Sequence, residues 1–391
     1  MEKKLSLLML VFFILSIPSA FFFPDFILNT KFIGEFFIYI LKLFVPFIIF
    51  ISISYSIASF SSENNLGKMI PLTLILYILS TTFAIVFSLL ISSNINFPKN
   101  NDLIAELNFT SYVKKGLSES LSPLGFDITN IHISFIEGNP LSIMIIAIFI
   151  GLIVRLIKNK QLIRFLEISN TLILKLITYI MWIAPLAIFS LFGSLLINVD
   201  FKIIILLFKF VLISITIFIG YFFILHGLII KYLLKERFLV FIDNIKDTLF
   251  FAFVSSSSSA TIPFSLKTAN EKLKIRKQVS NFVIPIGATV NMDGSAIYLG
   301  LSAVFISSII GMDLTIVEYS LILLTATIGS IGAAGVPSIA LVMMTVVFTS
   351  IGIPIEAISI LAGVDRILDM FRTSLNVGGD LLITKIVNKF T

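Results

Sequence analysis

The sequence predicts an all-α membrane protein, and three observations carry that reading. Of its 391 residues, 58% are hydrophobic and only 13% charged, a make-up far from that of soluble domains. Long, largely apolar runs such as Leu5–Phe23, Ile203–Ile230 and Ile284–Ile310 match or exceed the roughly 20 residues that cross about 30 Å of hydrocarbon. The runs are also apolar on every face, whereas a β-barrel alternates polarity within segments of about 10 residues.

The elements follow in order. A charged start, Met1-Glu2-Lys3-Lys4, precedes the first apolar run, which reads as a retained span because it lacks a small-residue cleavage site. Further spans are expected at Phe32–Ala58, Met69–Ile91, Leu141–Ile157, Leu162–Ile197 and Ile203–Leu234. Between the third and fourth, the polar stretch Asn94–Pro140 is long for a loop inside a bundle and is expected outside the membrane.

Charge placement fixes the orientation. The net charge of +6 gathers in short loops: Lys3, Lys4 and Lys68, then Arg155 to Arg164, Lys231 to Arg237, and Lys267 to Lys277. By the positive-inside rule these loops face the cytoplasm, which accounts for the basic balance without nucleic acid. Both termini are then cytoplasmic, and an inner cell membrane is the expected location. Lys42 and Lys175 read as snorkelling side chains. With no Cys there is neither disulfide nor thiolate chemistry, and His132 and His226 lie too far apart in sequence to share a ligand motif.

From Phe238 onward the pattern changes. Ser255–Ser259 running into Ala260-Thr261-Ile262-Pro263, and Gly329 through Pro337, interrupt hydrophobic stretches with small and helix-breaking residues. Irregular backbone survives at membrane depth only inside protein or beside water, so each break predicts a re-entrant hairpin. Each is followed by a helix with Asn near Gly and Asp: Asn291-Met292-Asp293-Gly294, then Asn376-Val377-Gly378-Gly379-Asp380. The charge-derived topology opens the two hairpins on opposite sides, an inverted repeat of the kind that brackets a transporter's midplane site.

The last helix concentrates the chemistry. Asp365, Asp369, Arg372, Asn376 and Asp380 fall within an arc of roughly 80° along about 22 Å of helix. A charge at the bilayer centre costs at least about 2.5–3.5 kcal/mol, so the stripe must meet partners, water or ligand. A plain ion-pair ladder accounts for Arg372 but leaves Asp293 and Asp380 asking for bound cations. Arg372 suits a carboxylate, Asp369 an ammonium, and the serines and glycines of the breaks supply hydroxyls and free amides for a second carboxylate. An intramembrane serine enzyme lacks a base beside Ser255–Ser259, so no enzyme is expected. A passive anion channel would use the same stripe without needing a closing second hairpin.

The segment from Val254 to Lys389 resembles the dicarboxylate/amino acid:cation symporters, the glutamate and aspartate transporter family. The motifs are Ser257–Pro263, Pro285–Gly294, Gly332–Pro337 and Asp369–Asp380, in the family's order; Tyr77–Thr81 agrees more weakly. The resemblance implies eight transmembrane helices plus two re-entrant hairpins of opposite orientation, a glutamate-transporter-like elevator fold assembled as a homotrimer. Residues 1–65 would form scaffold helices 1 and 2, 66–93 the third helix of the transport core, 94–199 scaffold helices 4 and 5 with the external loop, and 200–391 the rest of the core. It implies import of an acidic amino acid with Na+, or H+, the alternatives being C4-dicarboxylates or small neutral amino acids. Arg372, Asp369, Thr373, Asn376, Ser258, Ser295, Gly335 and Val336 would hold the substrate. Cations would sit at Gly287, Asn291, Asn376 and Asp380; at Tyr77, Ser80, Thr81, Asn291 and Asp293; and at carbonyls near Thr289, Ser330, Ile331 and Ala333. One departure stands out: the second arginine of members for acidic substrates is replaced at both usual positions, Ser256 and Met370, and the nearest substitute is Arg366, one turn from Met370.

Overall fold

The computed structural model describes residues 2–58, 69–95, 97–98, 140–180, 182–198, 202–332 and 339–391, and every regular element among them is helical. The chain opens with α1 (Glu2–Phe22) and α2 (Pro24–Ala58). The second begins earlier than its apolar run: Pro24 fits the first helical turn, where no backbone N–H is needed, and Asp25 meets the positive end of the helix dipole. Next come α3 (Met69–Ser92) and α4 (Pro140–Ile157). Most of the polar stretch expected outside the membrane lies outside the described residues.

The span expected as one helix over Leu162–Ile197 is two, α5 (Lys160–Ile180) and α6 (Ala184–Asn198). Pro185 has no N–H to donate and disfavours helical backbone in the residue before it. The amides of Trp182 and Ile183 instead close tight turns onto Tyr179 O and Ile180 O, at 3.0 Å each. α7 (Lys202–Tyr221) continues through wider π-helical turns at Phe222–His226 and Ile229–Leu234, ending where Lys235 takes a left-handed conformation.

Two helix pairs follow the predicted breaks. α8 (Phe238–Ser255) and α9 (Ser258–Glu271) are separated by Ser256, which is left-handed at φ 50°, and by Ser257, whose side chain caps α9 by accepting from the Ala260 amide at 3.2 Å. They run antiparallel: Lys272 Nζ donates to Asp247 at 2.7 Å and the Thr248 and Thr268 hydroxyls meet at 2.7 Å, each pair joining residues on opposite sides of the break. The second pair is α12 (Ile316–Gly332) and α13 (Ile339–Ser350), which pack on each other. Gly335 and Val336, between them in sequence, are outside the described residues.

Between the pairs, α10 (Lys277–Val290) and α11 (Asp293–Ile310) form one apolar rod broken at Asn291-Met292; after them α14 (Ile358–Phe390) runs unbroken. Every residue of α11 except Ser308 is buried, packed by α3, α12 and α14, as a helix apolar on all sides requires. α1, α2, α4, α5 and α6 pack mainly on one another, and α1 and α6 also touch α14.

Large apolar side chains face outward on the flanking helices, among them Phe22 at 76% exposure, Leu156 at 79% and Phe208 at 62%. In water so much exposed apolar surface would drive aggregation; in hydrocarbon it is a lipid-facing surface. Among the described residues, Met69–Ser92, Ile203–Leu234 and Lys277–Ile310 are long and apolar enough to cross a membrane. The chain is a multi-pass membrane protein.

The contact between α11 and α14 has no slack at Gly294. A Cβ there would stand 2.7 Å from Arg372 O and 2.8 Å from Arg372 Cα, both backbone atoms that cannot rotate away. Gly294→Ala should therefore lower the apparent Tm of the detergent-solubilised protein, overpacking of this kind costing about 1–3 kcal/mol. Gly220→Ala, where nothing lies within 4 Å, should leave it unchanged; equal melting of the two variants would refute the close approach.

Candidate functional site

Two clusters of polar side chains occupy the interior where α3, α7, α10, α11 and α14 meet. The first surrounds Asp293, fully buried at the first position of α11 because the backbone breaks at Asn291-Met292. Its Oδ2 accepts from Ser80 Oγ at 2.5 Å and from Tyr221 Oη at 3.2 Å, and its Oδ1 from Thr81 Oγ1 at 3.1 Å. Ser80 and Thr81 are successive residues of α3, so one helical turn delivers both hydroxyls.

Asp380 lies beside this cluster. Its Oδ1 accepts from Asn291 Nδ2 at 3.0 Å, and Asn291 Oδ1 has no hydrogen-bond partner. The carboxylate and the Tyr77 hydroxyl both press on Gly287, so closely that a Cβ there would force both side chains to shift. Tyr77 Oη donates to Val283 O at 2.9 Å and lies close to the Asp380 carboxylate. Asn376 bridges to the other helix: its Oδ1 accepts from the Gly294 amide at 2.8 Å. Among the described ion pairs, none involves Asp293 or Asp380.

The donor set is hydroxyl, amide and carboxylate oxygen. Hard monovalent cations take such oxygens, and no group of three His, Cys, Asp or Glu suited to a transition metal occurs among the described residues. Hydroxyls that now donate to Asp293 can rotate to present lone pairs, and the unpartnered Asn291 Oδ1 is a ready ligand. The residues present therefore fit an alkali cation.

The second cluster is the charge ladder of α14. Arg372, 0% exposed, donates from Nη1 to Asp365 Oδ1 at 2.8 Å and from Nη2 to Asp369 Oδ1 at 2.6 Å, with its guanidinium carbon 4.2 Å from the centre of the Tyr298 ring. Thr373, Ser258 and Ser295 are buried as well. Thr289 and Ser330 donate their hydroxyls to their own helices, at Ile286 O (3.0 Å) and Thr327 O (2.8 Å). Ile331 belongs to the last turn of α12, whereas Ala333, Gly335 and Val336 lie outside the described residues.

Two contributors escape a reading of motifs. Tyr221 comes from an apolar run and has no sequence partner there. Tyr298 sits in a helix whose other large side chains are apolar. The hold of Asp365 on Arg372 is the ion-pair ladder that the spacing of the stripe offers.

The family model described as "Sodium:dicarboxylate symporter family" matches residues 5–390. The chain belongs to the sodium:dicarboxylate symporter family. Symporters, not enzymes, make up that family. Its members similar to this chain include the proton/sodium-glutamate symport protein of Geobacillus stearothermophilus, 31% identical over 92% of this chain and 87% of that protein. Excitatory amino acid transporter 1 of Ambystoma tigrinum is 37% identical over 64% of this chain. Excitatory amino acid transporter 3 of Mus musculus is 36% identical over 65%. The chain aligns with about half the length of these two excitatory relatives, 47% and 49%.

Removing the Tyr221 hydroxyl takes one donor from a fully buried carboxylate, a loss of about 1–3 kcal/mol. Tyr221→Phe is expected to lower the apparent Tm in detergent while leaving the protein monodisperse. An unchanged Tm would show that the 3.2 Å contact does not bear on Asp293.

Proposed function

We propose that the chain is a secondary active symporter that imports an acidic amino acid, glutamate or aspartate, together with Na+ or H+. One observation carries the reading: a guanidinium and a carboxylate, Arg372 and Asp369, lie on the same helix as Asp380, a buried carboxylate with a cation-compatible oxygen set and no cationic partner among the described ion pairs. A zwitterion with a second acid group matches the first pair, and mobile cations match the second. The glutamate symport named for one relative supports this choice.

In this reading Arg372 binds the distal carboxylate, which must displace Asp365 and Asp369 from the guanidinium. Asp369 receives the ammonium. Thr373, Asn376, Ser258, Ser295 and the backbone at Gly335 and Val336 complete the pocket. Cations bind at Gly287, Asn291, Asn376 and Asp380, and at Ser80, Thr81, Asn291 and Asp293 with Tyr77 alongside; a further set uses carbonyls near Thr289, Ser330, Ile331 and Ala333. We add Tyr221 to the Asp293 group.

The proposed layout is eight spans with two oppositely oriented hairpins, α8–α9 and α12–α13. Residues 1–65 and 94–199 act as scaffold, 66–93 and 200–391 as a core that moves in an elevator step, and three copies assemble in the inner membrane with both termini cytoplasmic. Each surplus positive charge carried inward contributes about 2.3 kcal/mol per 100 mV.

A second reading, transport of C4-dicarboxylates, is favoured by the absence of arginine at Ser256 and Met370 and by the pairing of Asp369 with Arg366. Uptake of labelled glutamate and aspartate into proteoliposomes tests the first. A sodium gradient should drive accumulation, and Arg372→Ala should reduce it at least about a hundredfold, as expected from loss of a bidentate charged contact. Accumulation under a proton gradient alone would remove the sodium assignment, and retained affinity in Arg372→Ala would remove the role of that residue.

A further inference from the structure

The ladder on α14 has four members. Asp365 and Asp369 stand against Arg366 and Arg372, their side chains between 1% and 7% exposed. The four formal charges cancel. Arg372 joins Oδ1 of both aspartates, and Arg366 Nη1 reaches the other oxygen of Asp369, Oδ2, at 3.4 Å. Asp369 is thus held from both sides, by one arginine assigned to the substrate and by one that is not.

We propose that Arg366 is a positioning residue that determines specificity: as a resident counter-charge for Asp369, it weakens the site's demand for a substrate ammonium and admits plain dicarboxylates. The inference rests on the reading of Arg372 and Asp369 as substrate groups. When a substrate carboxylate takes the guanidinium of Arg372, Asp369 loses its 2.6 Å partner. An acidic amino acid replaces that partner with its ammonium. A dicarboxylate without an amino group brings nothing, and a buried carboxylate stripped of its counter-charge is strongly disfavoured. Arg366 is the cation that remains. The same contact competes with an incoming ammonium, so the arginine narrows the gap between the two substrate classes from both directions.

The experiment compares the protein with Arg366→Gln and Arg366→Lys in proteoliposomes. It reads the KM for aspartate and the inhibition constant of succinate against aspartate uptake. The ratio of the succinate constant to the aspartate KM should rise about tenfold or more in Arg366→Gln, as loss of a charge-assisted hydrogen bond implies. Arg366→Lys should stay near the parent. A ratio that does not rise, or two constants that move together, assigns Arg366 a purely structural role and overturns the proposal. If Arg366→Gln fails to fold, Asp365→Asn with Arg366→Gln keeps the ladder neutral and still deprives Asp369 of its second partner, so the same rise is required of it. Failure of the parent reading is distinct: the unaltered protein would then show no saturable uptake of aspartate or glutamate.

Discussion

Burying a carboxylate among helices that face hydrocarbon is the constraint from which the rest of this architecture follows. An unpaired ionised group in such surroundings carries a penalty of several kcal/mol even after local relaxation, and Asp293 and Asp380 are buried with no arginine or lysine in the described ion pairs to offset it. The molecule answers with donors. Ser80, Thr81 and Tyr221 converge on one carboxylate, and Asn291 on the other. The donors come from α3, from α7 and from the break after α10, so three helices are fixed around α11 and α14 by the needs of two acid groups. The break at Asn291-Met292 serves the same end, since an unbroken helix would turn Asn291 and Asp293 away from each other.

Arg372 poses the opposite problem and has the opposite solution. Its charge is neutralised inside α14 itself, by two aspartates at helical spacing, with the face of Tyr298 against it. A guanidinium held in this way keeps its fork geometry without solvent, which is what selective capture of a carboxylate needs. If Arg372 captures an acid as proposed, that acid replaces bonds of 2.6 and 2.8 Å to Asp369 and Asp365, and the net gain is the difference between two sets of charge-assisted bonds. On that reading affinity would be governed by what the displaced aspartates find afterwards, Arg366 or an ammonium in the case of Asp369.

How much of this the sequence discloses follows from the range of each signal. The polar stripe on α14 is legible because every member lies on one helix, where a period of about 3.6 residues fixes the face. The Ser255–Ser259 break is legible because a cluster of small polar residues within an apolar run weakens a spanning helix wherever it falls. Pro185 is legible too, yet the apolar stretch around it is long enough to hide the break, and the pattern alone merges α5 and α6 into one span. Tyr221 and Tyr298 are not legible: a phenol in an apolar helix has no sequence partner, and for Tyr221 the partner lies 72 residues away. The closeness of Tyr77 to Asp380 depends on how deeply α3 packs against α10, a quantity that no local pattern encodes.

The polar contacts also limit how the molecule can move. Hydrogen bonds tie α3 and α7 to Asp293, the end of α10 to Asp380, and the start of α11 to Asn376 on α14. Drawing any one of these helices away would strand a buried acid or amide without water to receive it. The serine contacts reinforce the tie, with Ser88 on α3 donating to Ile297 O and Ser374 on α14 to Leu249 O of the first hairpin. By contrast, α1, α2, α4, α5 and α6 pack mainly among themselves, and the hydrogen bonds of Ser54 to Ala147 O and of Ser190 to Thr30 O join members of that group. In the elevator step proposed above, α3, α7, α8, α10, α11 and α14 would move together, and the surface along which they would slip is the one that α14 and α8 share with α1 and α6.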